Sequence, residues 1–109
     1  MFTIVDTPTF RHEVKVRVPV DGGHKEESIR VTYRVLAVEV MERHDLRTPA
    51  GNKAFLQDTV IKLDDIVDAS NQPIPYSDSL RDQVLSLPYA RSALAEGYFT
   101  AIAGARAGN

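Results

Sequence analysis

The chain has 109 residues, a formal net charge of −2 and no cysteine. This length suits one domain with a modest core and is too short for two, so we expect a single domain over residues 1–109. The composition excludes disulfides and thiolate metal sites, and the charge argues against a general nucleic-acid-binding protein, although not against a local basic patch. Because no segment has the character of a signal peptide or a membrane span, we expect a soluble, cytoplasmic protein.

A β-hairpin is predicted over residues 10–36. Two segments with a period of two lie on either side of a turn signal, Asp21-Gly22-Gly23. The apolar side of the pattern consists of Phe10, His12, Val14, Val16, Val18 and Val20, followed by Ile29, Val31, Tyr33 and Val35. Because an isolated two-stranded hairpin is marginally stable in water, we expect helices of the same domain to cover this face.

The remainder, residues 37–109, is predicted to be helical. We expect helices over residues 38–46, from 49 to about 63, over 78–85 and from 88 onwards. Thr48 and Ser77 are N-cap residues, and prolines 49 and 88 occupy first turns, where a missing N–H costs little. Residues 64–75 are predicted to be a loop or a short strand pair, since two prolines forbid a helix there. The expected fold is α+β, an antiparallel hairpin followed by three or four packed helices.

The last predicted helix carries more than one apolar surface. Its main stripe, expected to face the core, comprises Leu87, Ala90, Leu94, Tyr98, Ala101, Ile102 and Ala105. Gly97 lies on a second ridge of small residues, and since glycine inside a helix costs about 1 kcal/mol relative to alanine, we expect a packing reason for it. Tyr89 and Phe99 lie off the main stripe, on a side that also carries Arg106. Either other helices of the domain cover them, or all three belong to a subunit or partner contact.

The polar side of the hairpin is a second candidate surface. It carries five basic residues, Arg11, Lys15, Arg17, Arg30 and Arg34, against Glu13 alone. A solvated β-sheet face explains this excess adequately. The alternative is a contact with an acidic partner, for which Arg17, Arg30 and Arg34 are the candidate residues.

The sequence lacks the signatures of catalysis and of cofactor binding. The three histidines are scattered, no side chain lies in a nucleophile motif, and Gly22-Gly23 lacks the spacing and the lysine of a phosphate-binding loop. Asp64, Asp65 and Asp68 could bring carboxylates together, but their register does not match a calcium-binding loop. We therefore expect a non-enzymatic protein without a cofactor or a metal.

The second half of the chain carries several short motifs in a fixed order. They are Asp64-Asp65-Ile66-Val67-Asp68, then Gln72-Pro73-Ile74-Pro75-Tyr76-Ser77, then Leu87-Pro88-Tyr89, and a terminal helix that ends in Gly104-Ala105-Arg106-Ala107-Gly108-Asn109. In these motifs, over residues 55–109, the chain resembles the tail assembly chaperones of long-tailed bacteriophages and prophages. The hairpin agrees with that family only in general form.

The resemblance implies a role in tail morphogenesis inside the host bacterium. Such proteins bind the tape-measure protein, a very long and largely helical polypeptide, and keep it soluble until the tail tube polymerises around it. The family often makes a longer form by ribosomal frameshifting, and this chain, ending at Asn109, would be the short form. A second copy and the longer form are further candidate partners. The competing hypothesis is a binding module whose basic hairpin face docks nucleic acid or an acidic protein.

Overall fold

The computed structural model describes residues 1–104. Its elements, in chain order, are β1 (Thr9–Val20), β2 (Gly23–Arg34), α1 (Val38–Met41), α2 (Pro49–Thr59), β3 (Val60–Asp64), α3 (Asp78–Leu85) and α4 (Pro88–Ile102). The strands form one antiparallel sheet in the order β1-β2-β3, and the helices pack on one of its faces. The predicted α+β fold, a hairpin followed by packed helices, is confirmed.

The third strand is the main correction to the expected fold. The sequence predicts a helix to about residue 63, whereas α2 ends at Thr59 and β3 pairs with residues 30–33 of β2. Thr59 donates its hydroxyl hydrogen to the carbonyl of Phe55, a bond that competes with the regular helix, and the β-branched pair at 60 and 61 favours a strand. Ile61 is the extra residue of a β-bulge in the β2–β3 ladder.

The helix caps were predicted correctly where a hydroxyl residue precedes the helix. Thr48 Oγ1 accepts a hydrogen bond from the backbone N–H of Gly51 at 3.0 Å, and Ser77 Oγ accepts one from Leu80 at 3.0 Å. The first helix is shorter than expected, and its first residue, Val38, is exposed, whereas Leu36 packs against the core.

The core lies between the sheet and helices α2, α3 and α4, and aromatic rings form its centre. Phe55 packs edge-on against Tyr98 with ring centroids 5.2 Å apart, and Tyr98 lies 5.5 Å from Tyr33. Tyr33 donates its hydroxyl hydrogen to the carbonyl of Leu94 at 2.7 Å, and the Tyr98 hydroxyl accepts from the N–H of Leu36 at 3.1 Å. These bonds satisfy the polar atoms that the aromatic residues bring into the core.

Helix α4 lies against β1 at an unusually short distance. A Cβ atom at Gly97 would lie 2.8 Å from Cγ2 of Val14 and 3.1 Å from the hydroxyl of Tyr33. The expected packing reason for Gly97 is therefore a close approach of the helix to the sheet.

The main stripe of α4 is buried only in its middle. Ala90, Leu94 and Tyr98 are buried, whereas Leu87 and Ile102 are exposed. These two residues lie at the helix ends, where the neighbouring elements no longer cover them. The last predicted stripe residue, Ala105, lies outside the described residues. None of the helices within residues 1–104 is long and apolar enough to cross a bilayer.

Candidate functional site

An apolar groove lies on the helix-covered side of the sheet, towards the hairpin turn. Its volume is about 460 Å³. Three parts of the chain line it: the strands with Val16, Val18, Glu27, Ser28 and Ile29, the segment after β3 with Asp65, Ile66 and Val67, and the α3–α4 junction with Val84, Leu87, Tyr89 and Ala90. We call this feature the groove. Neither the strand pattern nor the helix pattern alone indicates it, because its walls come from distant parts of the sequence.

One wall of the groove is the segment after β3. It forms because the chain turns away from β2 directly after β3. The β2–β3 ladder ends at the pair Arg30 and Asp64, and Asp65 has a φ of 65°, in the left-handed region. The following segment is held by its own bonds, since the Asp68 carboxylate accepts from the N–H groups of residues 70 and 72 at 2.8 and 3.0 Å. Within the described chain, residues 24–29 of β2 consequently have a strand on one edge only.

The second wall is the tight junction between α3 and α4. Leu87 is the N-cap residue of α4, and its apolar side chain makes no cap bond. Its backbone N–H donates to the carbonyl of Val84 at 3.0 Å, and Pro88 begins the next helix at once. The Leu87 side chain is left at the rim of the groove, 41% exposed.

A polar clasp holds this wall against α2. The Asp82 carboxylate accepts hydrogen bonds from the Gln57 amide at 3.1 Å and from Nε of Arg81 at 3.0 Å. The Gln57 amide first, and then Arg81, hold the pKa of Asp82 below its usual value. The carboxylate is therefore ionised at neutral pH and fixes α3, with its groove residue Val84, in place.

The candidate partner-binding residues of α4 do not form one patch. Tyr89 is half-buried and lines the groove, whereas Phe99 is 37% exposed and stacks on Phe55 with ring centroids 5.4 Å apart. Ten residues of helix separate the two side chains, about 15 Å along the axis. Other residues of the domain cover part of both rings, and the two rings do not form one patch. Arg106 lies outside the described residues.

The basic side of the hairpin is the open face of the sheet. Arg17, Arg30 and Arg34 are all exposed on it, but Arg17 is paired with Glu26, four rows or about 13 Å from the row of Arg30. Structure adds Lys62 to the basic residues and adds Glu26 and Asp64 to the acidic ones. Lys15 lies 3.7 Å from Glu26, and Lys62 lies 3.6 Å from Asp64. The face is basic, with acidic side chains interleaved.

The aspartates at positions 64 and 68 serve the local structure. Asp64 is paired with Lys62, and Asp68 holds the turn that follows. Among residues 1–104, no three histidine or carboxylate side chains are arranged to hold a metal ion. The same segment matters instead for its apolar members, Ile66 and Val67, which line the groove.

Two of the motifs named above meet at the groove. Residues 64–68 supply one wall, and residues 87–89 supply the other, although some twenty positions separate them in the sequence. No protein-family model, no curated protein and no solved structure matches the chain. The likeness to tail assembly chaperones therefore consists of the sequence motifs.

Proposed function

We propose that the protein is a tail assembly chaperone of a long-tailed bacteriophage or prophage. It binds the tape-measure protein in the cytoplasm of the bacterial host, keeps it soluble and is displaced during tail assembly, without an enzymatic step or a cofactor. The observation that carries this proposal is the meeting of residues 64–68 and 87–89, two motifs of the resemblance, on one apolar groove.

The groove is suited to the reversible binding of a helical partner. A helical partner binds a groove by inserting apolar side chains spaced three or four residues apart. Apolar residues of the groove, such as Leu87 and Val67, are exposed at its rim, so they are accessible in the free protein. The groove is small for a protein interface, and a small apolar contact favours reversible binding, which a chaperone that leaves the finished tail needs.

Co-expression with the long helical reading frame of the same gene cluster tests the proposal. The partner should be soluble with the wild-type chain and should aggregate without it. Tyr89→Ala should reduce the solubilised amount, because truncating an aromatic anchor can cost about 2 kcal/mol of binding. A folded wild-type chain that neither associates with the partner nor improves its solubility would contradict the chaperone function.

Two single variants locate the binding surface. Tyr89→Ala changes the groove, and Phe99→Ala changes the exposed ring about 15 Å along α4. Loss of protection with Tyr89→Ala alone assigns binding to the groove. Loss with Phe99→Ala alone, at an unchanged melting temperature, assigns it to the far end of the helix and contradicts the groove as the binding surface.

A second candidate function is favoured by the open face of the sheet. Six basic side chains lie there against three acidic ones, although the whole chain has a net charge of −2. Such a face suits nucleic acid or an acidic protein. Affinity for nucleic acid would fall steeply with salt, whereas apolar binding in the groove would not. A titration of Arg30→Glu and wild type against duplex DNA, at 50 and 200 mM salt, separates the two functions.

A further inference from the structure

The first five residues form an exposed apolar arm, which we call the arm. The side chains of Phe2 and Ile4 are 91% and 86% exposed, and Met1 and Val5 are exposed as well. The first charged side chain of the sequence is Asp6. Aromatic and β-branched residues favour an extended strand, so the arm has the composition of a strand without a sheet.

A matching acceptor lies on the same chain. Among the described residues 1–104, residues 24–29 of β2 pair with a neighbouring strand on one edge only, and the open edge runs along the groove, where Glu27, Ser28 and Ile29 form part of the lining. An added strand would bond to the free N–H and C=O groups of that edge. Because side chains alternate along a strand, Phe2 and Ile4 would point together into the groove.

The arm does not reach its own groove. Val35 donates its backbone N–H to the carbonyl of Pro8 at 2.9 Å, which fixes the root of the arm at the end of the hairpin far from the turn. From Pro8 to the row of Val16 is eight rows, about 26 Å. Six extended residues, from Phe2 to Pro8, span at most about 22 Å. The strand β1 and the β2–β3 ladder also lie between the root and the open edge.

We propose that the free protein self-associates by arm exchange, in which the arm of one copy adds to the open edge of β2 and fills the groove of a second copy. The buried area is of the size that a dimer needs. Phe2 and Ile4 together remove about 300 Å² per arm from water, and two reciprocal arms with their receiving surfaces reach about 1,200 Å², the lower end of the range for specific interfaces. The inference concerns the protein alone and does not rest on the proposed function.

The test compares three variants by sedimentation velocity across a concentration series. The double variant Phe2→Asp, Ile4→Asp changes only the arm. Leu87→Asp changes only the groove, and aspartate is a favoured N-cap residue, so α4 should be retained. Val38→Asp is the matched control, since this valine is exposed and lies outside the groove. We expect both the arm and the groove variant to weaken self-association at least tenfold, and the control to behave as wild type.

Mixing the two defective variants decides whether the arm meets the groove. The arm variant keeps an intact groove, and the groove variant keeps an intact arm. Their mixture should therefore form a mixed dimer through one arm–groove pair, at concentrations where each variant alone stays monomeric. A monomeric wild type at high concentration, a self-association that the variants leave unchanged, or a mixture that stays monomeric would each overturn the proposal. Circular dichroism melts of all variants establish that they are folded.

Discussion

The two ends of the helix-covered sheet surface differ in what lies on them. At the end near Phe10, which we call the core end, rings from β2, α2 and α4 close over the strands, and Tyr33 and Phe55 are fully buried. At the end near the hairpin turn, the chain turns away at Asp65 and α4 only begins, so the valines of β1 face the groove. One alternating pattern runs through both ends. The position of the covering elements, and not the strand pattern, therefore decides which apolar residues stabilise the fold and which remain available for binding.

The largest difference should come from one truncation at each end. Phe55 is completely buried among aromatic rings, so Phe55→Ala should lower the free energy of unfolding by about 3–5 kcal/mol through lost burial and the cavity left behind. Leu87→Ala, at the groove rim, should change it by less than about 0.5 kcal/mol. Urea denaturation of the two variants measures this. Equal losses would show that the groove is part of the core.

A valine series along β1 should locate the boundary between the two ends. Val14 and Val16 are buried, Val18 is half-buried and Val20 is exposed. Val16→Ala should cost about 1–3 kcal/mol, from burial and some cavity, and the cost should decline through Val18→Ala to near zero at Val20→Ala. Thermal melts of the single variants give the profile. An unchanged melting temperature for Val16→Ala would show that this part of the hairpin face is not core.

The hydroxyl of Tyr33 tests the core end without making a cavity. It donates to the Leu94 carbonyl in a fully buried place, and burial raises the pKa of this phenol far above its usual range. Tyr33→Phe removes one buried hydrogen bond and should cost about 1 kcal/mol. Tyr76→Phe is the matched control, because its hydroxyl bonds to Asp78 at the surface, and it should be nearly neutral. Denaturant melts of both variants measure the two costs. Similar losses in the free energy of unfolding at the two tyrosines would contradict the assigned difference in burial.

Local signals predicted most of the fold but not its third strand. Alternation defined the hairpin, and Thr48 and Ser77 marked two helix starts, because each signal lies within a few residues. Val60 and Leu63 fit a continued helix equally well by spacing, since short apolar runs do not separate helix from strand. The segment becomes a strand because it pairs with the edge of β2, which lies some thirty residues earlier in the sequence.

The groove illustrates the same limit for the candidate site. Tyr89 was predicted as a partner-binding residue, and it lines the groove, but Leu87 was predicted to face the core and lies exposed at the rim. A helical wheel places Leu87 on the apolar stripe, yet as the N-cap it lies before the first covered turn. Residues 65–67 and residues 87–89 meet only in the folded chain, so no local pattern in the sequence marks the groove.

The smallest expected effect concerns the clasp that joins a groove wall to the core end. The pKa of Asp82 is held below its usual value of about 3.9, so its ionised form stabilises the fold above that pH, and the contribution is lost as pH falls through the folded-state pKa. The side chain is 41% exposed, and solvent screening should keep the effect of Asp82→Asn below about 1 kcal/mol. We expect the gap in melting temperature between wild type and Asp82→Asn to stay constant from pH 7 to 5 and to close as the pH falls through the lowered folded-state pKa of Asp82. Glu96→Gln is the control, since Glu96 makes no ion pair within residues 1–104 and should leave no such gap. A difference in melting temperature that persists at low pH would mean that Asp82 acts through packing and not through its charge. The groove wall would then be held by packing alone.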